Sequence, residues 1–244
     1  MRKILFFIWI VGWCAPSDAI AEKIKVFAAI DHRPFVSIVD DKPGFLVDLL
    51  EAMAPHAGLT VEFEYYPWKR SQMLAKTEPG TFIINLGRTS KRENQYKWVV
   101  NLMSTTYVLA SLNKPYNSLE EVRLEEVTIG VLPGTPRDHI LTKANMSGVV
   151  RPPSPEGLVT GLKIGHIKAW FGVSHRIAYV WKDFGNDPKV LVYGKPIKTV
   201  DLYLAANPNT SDSYKPRLQA AYEKVVASGK MKEILRSYIG DSAF

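Results

Sequence analysis

The 244-residue chain has a single cysteine, Cys14, and it lies near the start. Beyond it there is no sulfur for a disulfide or for thiolate chemistry, so the rest of the molecule must be held by its apolar core. After the opening segment no apolar run reaches the roughly 20 residues that a bilayer-spanning helix needs. The five histidines, His32, His56, His139, His166 and His175, show no His-x-x-x-His spacing, so the common helical zinc pattern is missing. Paired carboxylates at catalytic spacing, a nucleophile triad and a glycine-rich phosphate loop are missing too. No metal and no cofactor is therefore expected. Long blocks of like charge are also absent: the formal net charge is +7, yet lysines and arginines are interleaved with acids. That patterning argues against nucleic acid as a partner and for a basic globular protein that favours small anions. Internal repeats and low-complexity tracts are not seen, and 46% hydrophobic with 11% aromatic residues is the composition of a packed chain.

What is present begins with Arg2 and Lys3, an apolar run from Ile4 to Ala15, and the small-residue triplet Ala19-Ile20-Ala21. A charged start, a short apolar stretch and a small-residue cleavage site read as a secretory signal. Its removal after residue 21 would lower the formal charge of +7 by one, since Arg2 and Lys3 leave together with Asp18. The competing readings are a buried N-terminal helix and a lipid anchor at Cys14. Bulky Trp13, where lipoprotein signals carry a small residue, argues against the anchor.

Short apolar strands and amphipathic helices then alternate. Ile24–Ala29, Thr60–Tyr66, Thr81–Asn85, Val127–Val131, Ala169–Val173 and Val190–Val192 read as strands. Leu46, Leu49, Leu50 and Met53 recur at helical spacing between Gly44 and Gly58. Ser118-Leu119-Glu120-Glu121 has the spacing of a capping box. In Pro133-Gly134-Thr135-Pro136 the threonine suits an N-cap and Pro136 the first helical position; Ser154-Pro155-Glu156 repeats the logic. Leu218, Ala221, Tyr222, Val225 and Val226 form a further helical stripe, and a last helix runs toward Tyr238. Such alternation predicts α/β layers around largely parallel sheets.

Several of these segments, in order, resemble the family 3 extracellular solute-binding proteins, the polar amino-acid transporter type. They are Pro34-Phe35, Gly44-Phe45-Leu46-Val47-Asp48-Leu49, Thr89-Ser90-Lys91-Arg92-Glu93, Ile129-Gly130-Val131 with Gly134-Thr135, Gly165 to Phe171, and Gly229-Lys230-Met231. The resemblance covers essentially residues 22 to 244. It implies a two-lobed, type II periplasmic-binding-protein-like clamshell with a two-strand hinge. Lobe 1 would be 22–109 plus 200–244 and lobe 2 would be 110–199, in a periplasmic monomer that serves an inner-membrane ABC permease.

On the same resemblance, Arg92 matches the arginine that grips a ligand carboxylate, a task for which its planar fork of donors is suited and lysine is not. Thr89 matches a position whose backbone N–H assists. Thr135, on the opposite lobe, offers a hydroxyl and helix-start N–H groups, or acts as a plain N-cap. Trp68 falls where relatives place a pocket wall, or is a core tryptophan; His32 falls where some relatives carry an aromatic lid, or is a loop residue. Arg70, Arg88 and Arg137 either make the cleft positive or lie on a solvated face.

The departures bear on specificity. Amino-acid binders carry Ser or Thr where this chain has Gly87, and a carboxylate for the ligand ammonium where it has Val173; a further acid is replaced by Lys168. A buried ammonium without a counter-charge costs several kcal/mol. The expectation is a binding protein for a small carboxylate-bearing solute other than a standard α-amino acid. The alternatives are a sensory ligand-binding module and a cyclohexadienyl-dehydratase-like enzyme, for which Asp31 or Glu93 would have to supply the acid.

Overall fold

The computed structural model describes residues 21–39 and 41–240. The segment read as a secretory signal therefore lies outside the described residues, apart from Ala21. In chain order the elements are β1 (Glu22–Ala29), β2 (Asp31–His32), β3 (Val36–Ser37), α1 (Phe45–Met53), β4 (Leu59–Tyr66), α2 (Trp68–Thr77), β5 (Thr81–Gly87) and β6 (Lys97–Ser111). There follow α3 (Leu119–Leu124), β7 (Ile129–Gly130), α4 (Pro136–Lys143), β8 (Val149–Val150), α5 (Pro155–Lys163), β9 (Ala169–Val173) and α6 (Ser174–Asp183). The chain closes with β10 (Val192–Tyr193), β11 (Lys198–Ala206), α7 (Tyr214–Ala227) and α8 (Lys230–Ile239).

One sheet runs through the whole molecule in the order β4-β1-β5-β11-β6-β9-β7-β8. At its first end β1 lies parallel to both β4 and β5; at the other, β7 lies parallel to both β8 and β9. Between them β6 and β11 form a long antiparallel ladder, from Lys97 opposite Ala206 to Tyr107 opposite Lys198. From Tyr107 onward β6 turns to pair with β9 instead, Tyr107 opposite Val173 and Ala110 opposite Trp170. β6 is thus the strand that belongs to both halves, with β11 alongside it at the crossing.

Each half buries side chains on both faces of its sheet. In the first, Val26, Phe82, Ile84 and Leu204 meet Leu46 and Leu50 of α1, Leu218 of α7 and Ile239 of α8, while Phe27, Ile83 and Leu86 face Ala75 of α2. In the second, Val108 and Trp170 meet Leu158 of α5 and Ile177 of α6, while Leu109 and Phe171 meet Val122 of α3 and Leu141 of α4. Burial of a side chain of this kind is worth about 1.5–3 kcal/mol, which is how a chain without disulfides holds both halves.

α6 crosses the division. Ala178 packs into the first core while Ile177 and Trp181 pack into the second. At its start the His175 ring sits against Phe35 and Phe45, centroids 6.4 and 6.2 Å away. Burial holds that imidazole at about 4, so it is neutral. Gly44 precedes α1 at φ 102, and a Cβ there would lie 2.5 Å from the Phe35 carbonyl oxygen; only glycine allows the approach.

Local predictions meet the structure unevenly. Ser118 caps α3 by accepting from the Glu121 N–H at 3.0 Å. The strand expected over Val190–Val192 is corrected: residues 188–190 form a 3-10 turn in which Asp187 Oδ1 accepts from the Lys189 N–H. Pro188 has no N–H to give a ladder there, and only β10 pairs with β6. α2 and α6 were not foreseen as helices.

Candidate functional site

On the first half, β5 ends at Gly87 and Thr89 starts the short turn Ser90–Arg92. The turn brings the Arg92 guanidinium back over the strand end: Nη1 donates to the Gly87 carbonyl oxygen at 3.0 Å and Nη2 to Gln72 Oε1 on α2 at 2.8 Å. Both acceptors are neutral, so the fork is held in place with its charge uncancelled. Gly87 leaves room beside it; a Cβ would lie 3.3 Å from Val200 Cγ1 and 3.9 Å from Arg92 Nη1. Trp68, the first residue of α2, lies against His32 with ring centroids 5.0 Å apart.

His32 Nδ1 lies 3.3 Å from Asn85 Nδ2. The amide nitrogen can only donate, which makes Nδ1 the acceptor and places the ring proton on Nε2. Burial, with Arg176 adding to it and Asp31 opposing, holds this imidazole at about 4. Asn85 itself has φ 63 inside β5, at the point where the register against β11 shifts between Tyr203 and Ala205. A bulge of this kind re-aims a side chain, here toward His32, and asparagine is among the few residues that tolerate the left-handed region.

On the second half, Thr135 is an N-cap in fact: its hydroxyl donates to the Leu132 carbonyl at 2.9 Å and accepts from the Asp138 N–H at 3.3 Å. Arg137, in the first turn of α4, lies over the Tyr107 ring at 5.1 Å. Val173 ends β9 and is the N-cap residue of α6, with no side chain able to cap it. Three residues on, Arg176 has its Nε sealed from solvent without a hydrogen-bond partner.

These two walls enclose a cleft of about 960 Å³, and Arg92, Thr89, Gly87, Trp68, His32, Thr135, Arg137 and Val173 all line it. Six cationic side chains line it against one carboxylate, Asp201. Asp201 accepts from the Ser104 hydroxyl at 2.6 Å and stands three residues from Lys198, which is level with Tyr107 and Val173. That is about 10 Å along the strand, so Asp201 does not fill the place at Val173. Arg88 is engaged elsewhere, its Nε 3.0 Å from Glu93 Oε2 and its guanidinium against Trp98 and Tyr203. Arg70 lies over Tyr66 and is not among the lining residues.

Among the lining residues that the sequence does not mark are Arg176, Asp201 and Asn85. Arg176 would have emerged had a helix been placed directly after Val173. Asp201 lies in β11, a segment for which the sequence offered no strand or site signal. Asn85 carries no local signal, since its bulge depends on the partner strand. Among the described residues no cluster of three or more His, Cys, Asp or Glu could hold a metal ion, and no helix is long and apolar enough to cross a membrane.

Comparison with solved structures finds the same two-lobed, type II periplasmic-binding-protein-like fold. A polar amino acid ABC uptake transporter substrate-binding protein from Streptococcus thermophilus matches with a TM-score of 0.75 at 16% identity, over 90% of this chain and 87% of that one. The L-cystine solute receptor of Neisseria gonorrhoeae, in its unliganded open conformation, matches at 0.72 and 16%, over 90% and 94%. A histidine kinase sensor domain similar to periplasmic binding proteins matches at 0.65 and 18%, over 91% and 97%. No curated protein matches in sequence. The model of the bacterial extracellular solute-binding proteins, family 3, matches residues 24–241, and the chain belongs to that family.

Proposed function

We propose that the protein is exported through a cleaved signal, residues 1–21, and captures a small carboxylate-bearing solute other than a standard α-amino acid. Its lobes are 22–109 plus 200–244 and 110–199, and they close about the β6–β11 crossing. The carrying observation is the Arg92 fork, anchored by the Gly87 carbonyl and Gln72 and left without a carboxylate in a cleft rich in cations. An α-amino acid would bring an ammonium to the place held by Val173, close to Arg176, where no acid stands to receive it. Catalysis is disfavoured by the same inventory: the lone Asp201 has no second acid beside it among the lining residues. Thr89 and Trp68 would flank the carboxylate, and His32, neutral, would border it.

The solute would be handed to an inner-membrane ABC permease, as the transporter-type relatives suggest. A sensory role without transport is the second reading, favoured by the likeness to the sensor domain. A thermal-shift screen of carboxylates and of the standard amino acids tests the cleft, since a ligand at 100 times its dissociation constant adds about 2.7 kcal/mol. Carboxylates without an amino group should raise the melting temperature of the wild type and not of Arg92→Ala. A clear shift with glutamine or histidine would overturn the reading.

A further inference from the structure

The two arginines on the second wall are not explained by a single carboxylate at Arg92. Arg176 has no hydrogen bond or ion pair among the described residues, and its Nε is buried. An arginine cannot shed its charge to escape that position. Three features of its surroundings make the position worse. It stands in the first turn of α6, behind the apolar N-cap residue Val173, where the helix dipole opposes a cation. Arg137 repels it, and the two arginines line the same small void with Val173 and Phe171. The acid that it feels is Asp31, and each Asp31 oxygen already accepts from Arg33, at 2.9 and 3.1 Å.

The buried Nε leaves this half-buried charge incompletely solvated in the empty protein, and an anion arriving from the cleft, which Arg176 and Arg137 both line, would relieve it. The void behind them, at about 10 Å³, has room for a water and nothing larger. One small anionic group held by Arg92 against Gly87 and Gln72 does not reach across a cleft of about 960 Å³ to serve the second wall as well. A monoanionic solute in the closed cleft would leave Arg176 buried and unpaired, which selects against it.

We infer that Arg176 and Arg137 form a second oxyanion subsite, so that the solute carries two separated anionic groups, a carboxylate at Arg92 and a carboxylate or phosphonate-type group at Arg176. This rests on the reading of the cleft as the solute site. It replaces the ammonium-binding acid of amino-acid binders by a charge of opposite sign, so the cleft reads one more anion where its relatives read a cation.

The test is calorimetry and thermal shift on the exported chain with succinate, glutarate and 3-phosphonopropionate against butyrate, in the wild type, Arg176→Gln, Arg137→Gln and Arg92→Ala. The dianions should bind the wild type about 100-fold or more tighter than butyrate, the range expected for a desolvated charge-assisted pair. Arg176→Gln should bring that ratio to near one, leave butyrate binding in place, and raise the melting temperature of the empty protein. The phosphonate against the dicarboxylates tells which second group is preferred. Equal binding of butyrate and the dianions by the wild type, or an unchanged ratio in folded Arg176→Gln, overturns the inference. Should Arg176→Gln fail to fold, Arg137→Gln carries the same ratio test, and an unchanged ratio there overturns the inference. If butyrate binding depends on Arg92 but the dianions gain nothing, the second subsite alone falls. If no carboxylate binds and Arg92→Ala is silent, the cleft reading falls with it.

Discussion

The two walls of the cleft treat their arginines in opposite ways. Arg92 arrives from a turn after β5 with two of its donors already on neutral protein oxygens. Arg176 arrives from the first turn of a helix with none. The first wall holds its fork in place without any solute, so on the proposed reading little would be reordered on binding. The second keeps a charge whose comfort depends on what comes in. On the proposed reading, specificity in this cleft would reside less in the side that resembles its relatives than in the side that departs from them, because a half-buried charge without a partner penalises a solute that fails to meet it.

The largest effect should come from breaking the first wall. Arg92→Ala removes the fork and strands the Gly87 and Gln72 oxygens, and a loss of about 2–5 kcal/mol in carboxylate affinity is expected; titration calorimetry measures it, and an unchanged dissociation constant would show that the fork faces no ligand. Acid should strain both walls together. His32 and His175 are held at about 4 against about 6.5 in an unfolded chain. The unfolded state thus takes up protons first as the pH falls from 6.5 toward 4, and stability drops by up to about 3 kcal/mol per histidine. Melting temperatures across that window should fall less steeply in His175→Phe than in the wild type.

Val173→Asp sharpens the contrast by giving the second wall the missing acid. It supplies an N-cap to α6 and a counter-charge to Arg176, and should stabilise the empty protein by about 1–2 kcal/mol while weakening dianion binding. Val173→Asn supplies the cap without the charge; if it stabilises equally in thermal melts, Arg176 gains nothing from an acid there. The smallest effect is Thr135→Ala. Its hydroxyl is occupied by Leu132 and Asp138, so about 1 kcal/mol of stability should go with solute affinity nearly unchanged. A large affinity loss would show that the hydroxyl turns to the solute.

How much of this was legible beforehand follows the range of each signal. The local signals carried far: the stripe from Leu46 to Met53, the Ser118 cap and the Thr135-Pro136 helix start rest on neighbours within a turn or two, and each element forms where it was read. The vicinity of Arg92 was legible through its motif. What was hidden depends on partners distant in sequence. Asn85 turns left-handed because β11 pairs with β5 out of step. α2 and α6 are half apolar and begin without a capping side chain, so nothing marks their starts. The Val190–Val192 expectation is met only at Val192, because the 3-10 turn that Pro188 opens runs through Val190.

The straddling of α6 has one more consequence. Since His175 is seated against Phe35 and Phe45 and Ala178 is lodged in the same first core, while Ile177 and Trp181 are held in the second, the halves are joined by an aromatic wedge as well as by two strands. If the lobes hinge as proposed, swinging them far apart would strip cover from three rings at once and so limit the gape, and the residue nearest that stop would be the one next to Arg176.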